Sequence, residues 1–198
     1  DIDHPDVHFS FPIVKSAAKH YLTSDDRHDV WVKMLTQHPL MTPRNWLDLI
    51  EAGNSQPAIH VEEAQDIIRF AAFPPYATQL KFFVIWLPER LRPEAANKLL
   101  KVIEEPSRGI CFLLVSNNPE RVLGTIRSRS QLIEMRSLPT PVIAEALQSR
   151  YGIAAQDALA VAHVAEGSYL RACESLQLNE ESRLFFNYFV QVMRLAYG

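Results

Sequence analysis

The strongest pattern in the chain is a pair of short apolar runs separated by an amphipathic stretch. Phe82 to Leu87 and Ile110 to Val115 are each six consecutive apolar residues, which is typical of parallel strands covered on both faces. Pro93 suits the first turn of a helix between them, and Pro106 ends that helix at Glu105. Strand, helix and strand in this order predict a βαβ unit. The helix carries one apolar stripe: Ala96, Leu99, Leu100 and Ile103.

Weaker patterns extend this α/β unit in both directions along the chain. The crossovers between its strands are expected to be right-handed. Functional groups are expected at the carboxyl ends of the strands, after Trp86 and after Val115. The further elements predicted are a strand at Val7 to Val14, short helices within residues 15–50, a helix from Val61 that closes at Phe73-Pro74-Pro75, a short helix at Pro119 to Leu123, and a fourth strand at Gln131 to Met135.

A second, helical part is predicted after the linker Leu138-Pro139-Thr140-Pro141. The boundaries expected from these patterns are a partial α/β core at 1–138, a small helical domain at 139–178, and the start of a C-terminal helical domain at 179–198. The large apolar face of the last stretch suggests that it packs against a partner. The helical stretches are Val142 to Tyr151, Ala155 to Ala165, Tyr169 to Leu176, and Glu181 to Tyr197.

Composition narrows the classes of function. The 198 residues are 47% apolar and carry a net charge of −3, so a real core is possible and no overall basic field indicates nucleic-acid binding. We find no apolar run near the roughly 20 residues that cross a bilayer, and no secretory leader, so we expect a cytoplasmic protein. Cys111 and Cys173 lie in apolar patterns and are predicted to be core thiols.

Two clusters of acidic and histidine side chains raise the question of metal binding. Neither cluster has a known ligand spacing, and both lie in polar, turn-like sequence, so no metal site is predicted. Glu104 and Glu105 point about 100° apart on a helix, which favours a helix end over a catalytic pair of carboxylates. The clusters are Asp1, Asp3, His4, Asp6 and His8, and Asp25, Asp26, His28 and Asp29.

An ordered set of motifs resembles the bacterial clamp-loader AAA+ subunits of DNA polymerase III. The resemblance implies a P-loop NTPase-like AAA+ core, a parallel sheet flanked by helices, followed by a helical lid at 139–178 and the start of a collar domain at 179–198. It also implies that a zinc module lies upstream of Asp1, so we interpret the chain as a middle piece. The motifs are Lys81 to Glu89, Ala95 to Pro106, Phe112 to Ser116, and Thr125 to Gln131.

Three parts of the family's ATP site are missing or displaced. No stretch fits the phosphate-cradling loop, and the first strand that precedes this loop is absent. Leu87-Pro88 stands where the family's ATPases place Asp-Glu for magnesium. The lid position of the family's arginine is Leu170, with Arg171 one place late. The resemblance therefore implies an ATPase-inactive subunit that binds no cofactor itself, while partner subunits hold ATP and magnesium.

The resemblance also implies what such a subunit does. It organises the complex that loads the sliding clamp on primed DNA, beside the gamma/tau and delta subunits, as part of a DNA-directed DNA polymerase holoenzyme. The family's Ser-Arg-Cys motif corresponds to Ser128-Arg129-Ser130, which makes Arg129 the arginine finger for a neighbouring subunit; the role of Arg127 stays open. A serine in place of the cysteine needs a hydrogen-bond partner. Lys98 and Lys101 either are solvated or face DNA phosphates.

Two other functions remain open from the sequence. One is an active, gamma/tau-like ATPase whose phosphate loop lies upstream. The other is a non-replicative adaptor that uses the fold only to bind protein.

Overall fold

Three parallel strands form the sheet of the first part of the chain. The structure, a computed structural model, describes residues 4–16, 22–37, 40 and 42–176. The predicted helix Glu181 to Tyr197 and the predicted domain 179–198 lie outside the described residues. Within the described part, no helix is both long and apolar enough to cross a membrane.

The strands confirm the two apolar runs as neighbours in one sheet. Strand β1 spans Val7–Ser10, β2 spans Lys81–Trp86 and β3 spans Ile110–Val115, in the order β1-β2-β3. In the parallel register, Val84 pairs with Phe9 on one side and with Leu113 on the other. β1 is shorter than the predicted Val7 to Val14, because the chain leaves the sheet after Ser10 and Ile13 instead bridges Ala58.

The helices of this part follow the predicted periodicity. Helices α1 and α2 lie within residues 15–50 as expected, and Thr42 caps α2 by accepting a hydrogen bond from the Asn45 amide at 3.1 Å. His60 precedes the helix predicted from Val61. The bounds are α1 His28–Gln37, α2 Pro43–Leu49, α3 Val61–Ala71, α4 Pro93–Glu104 and α5 Gly124–Arg127, with 3₁₀ turns at Ser24–Arg27, Pro88–Arg90 and Pro119–Arg121.

The main core lies between the sheet and α3 and α4. Because both helices are amphipathic, their apolar stripes cover the face of the sheet that carries Phe83 and Ile85. Val122 and Ile126 enter the same core from the turn region after β3, so this region is anchored to α4. The buried residues of α4 are Ala95, Ala96, Leu99 and Ile103.

The opposite face of the sheet is covered by an aromatic cluster near β1. Phe11 stacks on Trp31 with ring centroids 4.3 Å apart, and Trp46 meets both rings edge-on. The indole N–H of Trp46 donates to the Pro12 carbonyl at 2.7 Å, so this large buried side chain is satisfied. Trp86 and Leu87 join the cluster from the end of β2.

The same face is open near β3. Leu113 and Val115 are each 46% exposed, although parallel strands are usually covered on both faces. Cys111 shares this side of the strand by alternation and is half-buried, so it is less covered than a core thiol. Among the described residues, β3 pairs only with β2, and its outer edge has no strand beside it.

The predicted fourth strand at Gln131 to Met135 is wrong. Residues 131–139 form neither helix nor strand, and Leu132, Ile133 and Met135 are exposed, Met135 by 89%. A strand exists only through hydrogen bonds to a neighbour, and no described strand pairs with this segment. Its apolar residues fit a strand, but composition alone does not supply the partner.

The helical part forms a separate unit. The chain divides into two compact units between Ile133 and Glu134, a few residues before the linker expected from the sequence. Helix α6 spans Thr140–Tyr151 and α7 spans Ala155–Val164, and residues 169–176 are again helical. Cys173 is buried in the core of this unit, as predicted.

Gly167 allows the turn before the third helical stretch of this unit. Its φ of +83° favours glycine, and a Cβ there would lie 2.5 Å from the Cβ of Ser137. The Gly167 carbonyl accepts a hydrogen bond from the Leu138 amide at 3.0 Å. The glycine therefore permits a close approach between this turn and Ser137 and Leu138 near the start of the unit.

A buried glutamate ties β1 to α3. Glu63 accepts hydrogen bonds from the Ser10 hydroxyl, the Ser24 hydroxyl and the Ser24 amide, each at 2.6 Å. Burial raises the pKa of Glu63 in spite of these three donors. The carboxylate replaces its lost hydration with protein donors and joins three segments that are distant in sequence.

Asp6 organises the loop before β2. Its carboxylate accepts hydrogen bonds from the amides of Tyr76, Ala77 and Thr78 at 2.5, 2.7 and 2.8 Å. Burial alone would raise the pKa of Asp6, but these bonds and one from the Thr78 hydroxyl lower it to about 2. Asp6, a member of the first acidic and histidine cluster, therefore caps a loop.

We expect Asp6→Asn to destabilise the fold at neutral pH, because an amide cannot accept this set of hydrogen bonds. The folded-state pKa of about 2 lies below the ordinary value of 3.8, so the contribution of Asp6 is present above pH 4 and is lost as the pH falls towards 2. Urea unfolding followed by tryptophan fluorescence across this range measures it. Asp48→Asn on exposed α2 is the control, and an equal pH dependence in wild type and Asp6→Asn would contradict the assignment.

Candidate functional site

The carboxyl ends of β2 and β3 lie side by side, where an α/β sheet usually carries its site. The Leu87 amide donates to the Val115 carbonyl at 2.8 Å, which holds the two strand ends together. Glu89 accepts hydrogen bonds from the Ser116 hydroxyl at 2.8 Å and from the Asn117 amide at 3.3 Å. The carboxylate nearest to the end of β2 is therefore engaged in joining the two loops.

Leu87 and Pro88, which directly follow β2, are apolar and buried. Leu87 is 5% exposed and packs in the aromatic cluster with Trp31 and Trp86. Its backbone is left-handed, with φ of 58° and ψ of 58°, a conformation that is unfavourable for a branched side chain. Neither side chain offers an oxygen to a metal ion, so this position cannot bind magnesium in the way a pair of carboxylates does.

The turn after β3 presents two arginines. Within the predicted helix at Pro119 to Leu123 the structure has only the 3₁₀ turn Pro119–Arg121, and the short helix α5 begins after it, at Gly124. Ile126 is fully buried against the core that α4 also contributes to. The Ile126 carbonyl accepts from the Arg129 amide at 3.1 Å, so the backbone that carries Arg129 is anchored in the core.

The Arg129 side chain is held by two acceptors. Its Nε donates to Glu104 Oε2 at 2.7 Å, and its Nη1 donates to the Thr125 carbonyl at 3.0 Å. The side chain is 31% exposed and that of Glu104 is 52% exposed, so the pair lies at the surface of the unit. The guanidinium is therefore oriented but remains accessible.

Arg127 has a local partner instead. Its Nη1 donates to Glu120 Oε2 at 2.7 Å, and both side chains are strongly exposed. Both residues belong to the same surface turn, so this pair does not connect the turn to α4. The structure thus distinguishes the two arginines, which the sequence left ambiguous.

Ser130 has the hydrogen-bond partner that a serine at this position needs. Its hydroxyl donates to the Ile126 carbonyl at 3.0 Å, so the serine has the partner that a buried hydroxyl needs. Ser128 makes a similar bond to the Thr125 carbonyl at 3.2 Å. The turn is closed by its own serines around Arg129.

Lys98 and Lys101 are exposed on the solvent side of α4. Neither makes a hydrogen bond or an ion pair with another described residue. Glu94 lies four residues before Lys98 on the same side of α4, and Glu105 directly follows the helix, so the surface carries both charges. The two lysines are available to an anionic partner, in a surface of mixed sign.

The lid positions lie in the second unit. Leu170 is half-buried, and Arg171 pairs with Glu166 at 3.2 Å, with both of these side chains well exposed. Arg171 is thus held within its own surface turn.

Among the described residues, no group of three or more histidine, cysteine or acidic side chains could hold a metal ion. Asp26, from the second predicted cluster, accepts hydrogen bonds from the Leu22 and Thr23 amides at 2.7 and 2.9 Å and caps a turn. Asp1 and Asp3 lie outside the described residues.

Comparison with known proteins decides the family. A family model described as "DNA polymerase III, delta subunit" matches residues 15–139, which is more than half of the chain. The chain belongs to this family. The match covers β2, α4, β3 and the Arg129 turn. It confirms the family that the motifs predicted.

Individual relatives match over part of their length. A DNA polymerase III subunit delta' from Haemophilus influenzae is 35% identical over 120 residues, which is 60% of this chain and 36% of that protein. A subunit gamma/tau from Mycobacterium bovis is 30% identical over 103 residues, 50% of this chain and 18% of that protein. The chain thus spans about a third of the delta' relative and about a fifth of the gamma/tau relative.

A solved structure shows a weaker likeness. A DNA polymerase III gamma subunit-related protein from Thermotoga maritima is 23% identical, with a TM-score of 0.42 over 52% of this chain and 39% of that one. At this TM-score the likeness adds nothing to the fold described above.

Two functional contacts escaped the sequence analysis. Glu104 was interpreted only as part of a helix end, and Glu89 was not considered as a partner of Ser116. The contacts span 25 and 27 residues, so no local spacing announces them. The sequence provides only indirect evidence for the Glu104–Arg129 contact, namely an acidic residue at the end of the βαβ helix and an arginine after the next strand.

The strain in the left-handed backbone of Leu87 can be tested by substitution. We expect Leu87→Ala to lower the free energy of unfolding by about 2–5 kcal/mol through lost burial. Leu87→Gly loses the same burial but relieves the positive φ, so it should be no less stable than Leu87→Ala, and more stable by up to about 1 kcal/mol. Leu91, buried at φ −60°, is the matched control, since there glycine should be worse than alanine. Equal rankings at both positions in urea unfolding would refute the strain.

Proposed function

We propose that this chain is part of an ATPase-inactive clamp-loader subunit of DNA polymerase III, which acts in replication and donates Arg129 to the ATP site of a neighbouring subunit. The observation that carries the proposal is the Arg129 guanidinium, which is oriented by two acceptors while remaining at the surface. A guanidinium in that state suits the stabilisation of charge on a transferring phosphoryl group. Family membership supports the setting in DNA polymerase III.

The strand ends support the absence of an ATPase in this chain. Magnesium in an ATP site needs free carboxylates near the phosphates. Here Leu87 and Pro88 are buried and apolar, and Glu89 is bound to the loop after β3. On this proposal, ATP and magnesium are held by the neighbouring subunits, and any zinc module lies upstream of these residues.

The partners follow from the same proposal. The chain would organise gamma/tau and delta subunits in the cytoplasm, contact the sliding clamp indirectly, and meet primed DNA weakly through Lys98 and Lys101. The mixed charge around these lysines favours a weak contact over a strong one.

A gamma/tau-like ATPase is the second candidate, favoured by the similarity to a subunit gamma/tau over half of the chain. Calorimetric titration of the full-length protein with MgATP separates the two, because a phosphate loop upstream of these residues would then be present. We expect no saturable binding up to about 1 mM, the upper end of ordinary KM values. A gamma/tau subunit in the same buffer is the positive control, and micromolar binding by the full-length protein would favour the second candidate.

Arg129→Ala should leave the complex assembled but slow phosphoryl transfer at the neighbouring site by about 10³-fold or more, as for other arginine fingers. The measurement is single-turnover phosphate release in a complex reconstituted with gamma/tau and delta, with assembly checked by gel filtration. Total turnover should fall only by the share of that one site.

Arg127→Ala is the matched control, because Arg127 lies on the same turn but pairs only with Glu120. Unchanged phosphate release with Arg129→Ala, or an equal loss with both substitutions, would refute the finger assignment.

A further inference from the structure

Glu104 and Thr125 fix the plane of the Arg129 guanidinium from two segments. Glu104 ends α4 and bonds to Nε, while the Thr125 carbonyl lies at the start of the turn and bonds to Nη1. One acceptor would leave rotation about the hydrogen bond free. Two acceptors on different nitrogens hold the planar group in one orientation.

The donors that remain point to an anion. A guanidinium carries five N–H groups, and these two bonds use two of them. Nη2 and the second N–H of Nη1 have no hydrogen-bond partner within the described part of the chain. These remaining N–H groups can donate to the oxygens of a carboxylate or phosphate.

The backbone positions of Glu104 and Arg129 are fixed because both residues follow residues buried in one core. Glu104 directly follows Ile103, and Arg129 lies three residues after Ile126; both isoleucines are buried in the same cluster. The distance between the carboxylate and the guanidinium is therefore set by core packing and not by a flexible loop. Arg127 also directly follows Ile126, but its partner Glu120 is 82% exposed and lies in the same segment after β3, so that pair does not join two elements of the core.

We propose that Glu104 is a positioning residue that holds Arg129 with the end of its guanidinium presented to the phosphate oxygens of ATP on the neighbouring subunit. This inference rests on the proposed function. Glu104 has two opposing effects, because its negative charge weakens the attraction of Arg129 for an anion while its hydrogen bond orients the group. The pair is largely solvated, so the charge effect is weak, whereas a 1 Å misplacement of a catalytic group can cost about 10²-fold in rate. Orientation dominates.

The test compares Glu104→Ala with Glu104→Gln in the reconstituted complex. Glu104→Ala should lower kcat at the neighbouring site by about 10-fold with little change in KM for ATP, less than the roughly 10²-fold of full misplacement because the Thr125 carbonyl remains. Glu104→Gln should keep most of the activity, since its amide oxygen still accepts from Nε. Glu105→Ala, one residue further along, is the control and should match wild type.

A double-mutant cycle makes the inference falsifiable. If Glu104 acts only through Arg129, Glu104→Ala combined with Arg129→Ala should be no slower than Arg129→Ala alone. Normal kcat in Glu104→Ala beside a slow Arg129→Ala would overturn the positioning role and leave the finger intact. Additive losses, or a loss in Glu104→Gln as large as in Glu104→Ala, would also overturn it. Normal kcat in Arg129→Ala would overturn the proposed function itself.

Discussion

Burial of one face of α4 is the constraint on which the rest of the first unit depends. Ala95, Ala96, Leu99 and Ile103 seal this helix against the sheet and against α5. That packing fixes the position of Glu104 at one end of the helix and of the Arg129 turn beside it. A loss of packing here would therefore change surface chemistry without touching any surface residue. Stability and the geometry of the charged pair are linked through one helix because the same atoms define the core and the spacing of the pair.

Local pattern was sufficient for the elements that make their own contacts. The βαβ unit was predictable because two apolar runs and a helical stripe specify burial within about 35 residues. The failure at Gln131 to Met135 has the opposite cause, since a strand depends on a partner that the segment does not contain. The Glu63 and Asp6 networks were also beyond prediction, because their donors come from segments distant in sequence whose position depends on the completed fold.

In the candidate site, too, some residues were predictable from the sequence and their contacts were not. Arg129 was identified through a motif, while the structure supplied what the motif lacks: the acceptors that orient it and the difference from Arg127. The apolar pair after β2 was visible in the sequence as a departure from the ATPases of the family. The burial of Leu87 in an aromatic cluster offsets its strained backbone, since a polar residue there would lose the packing against Trp31 and Trp86.

The open side of β3 has a consequence for self-association of the chain. Within the described part of the chain, β3 ends the sheet and carries exposed Leu113 and Val115, so it offers both unpaired backbone groups and apolar area to any extended segment that meets it. Natural edges are usually guarded by lysine, proline or a bulge, and the ICFLLV sequence of β3 contains none of these. This edge therefore has the features that favour edge-to-edge association of polypeptide chains.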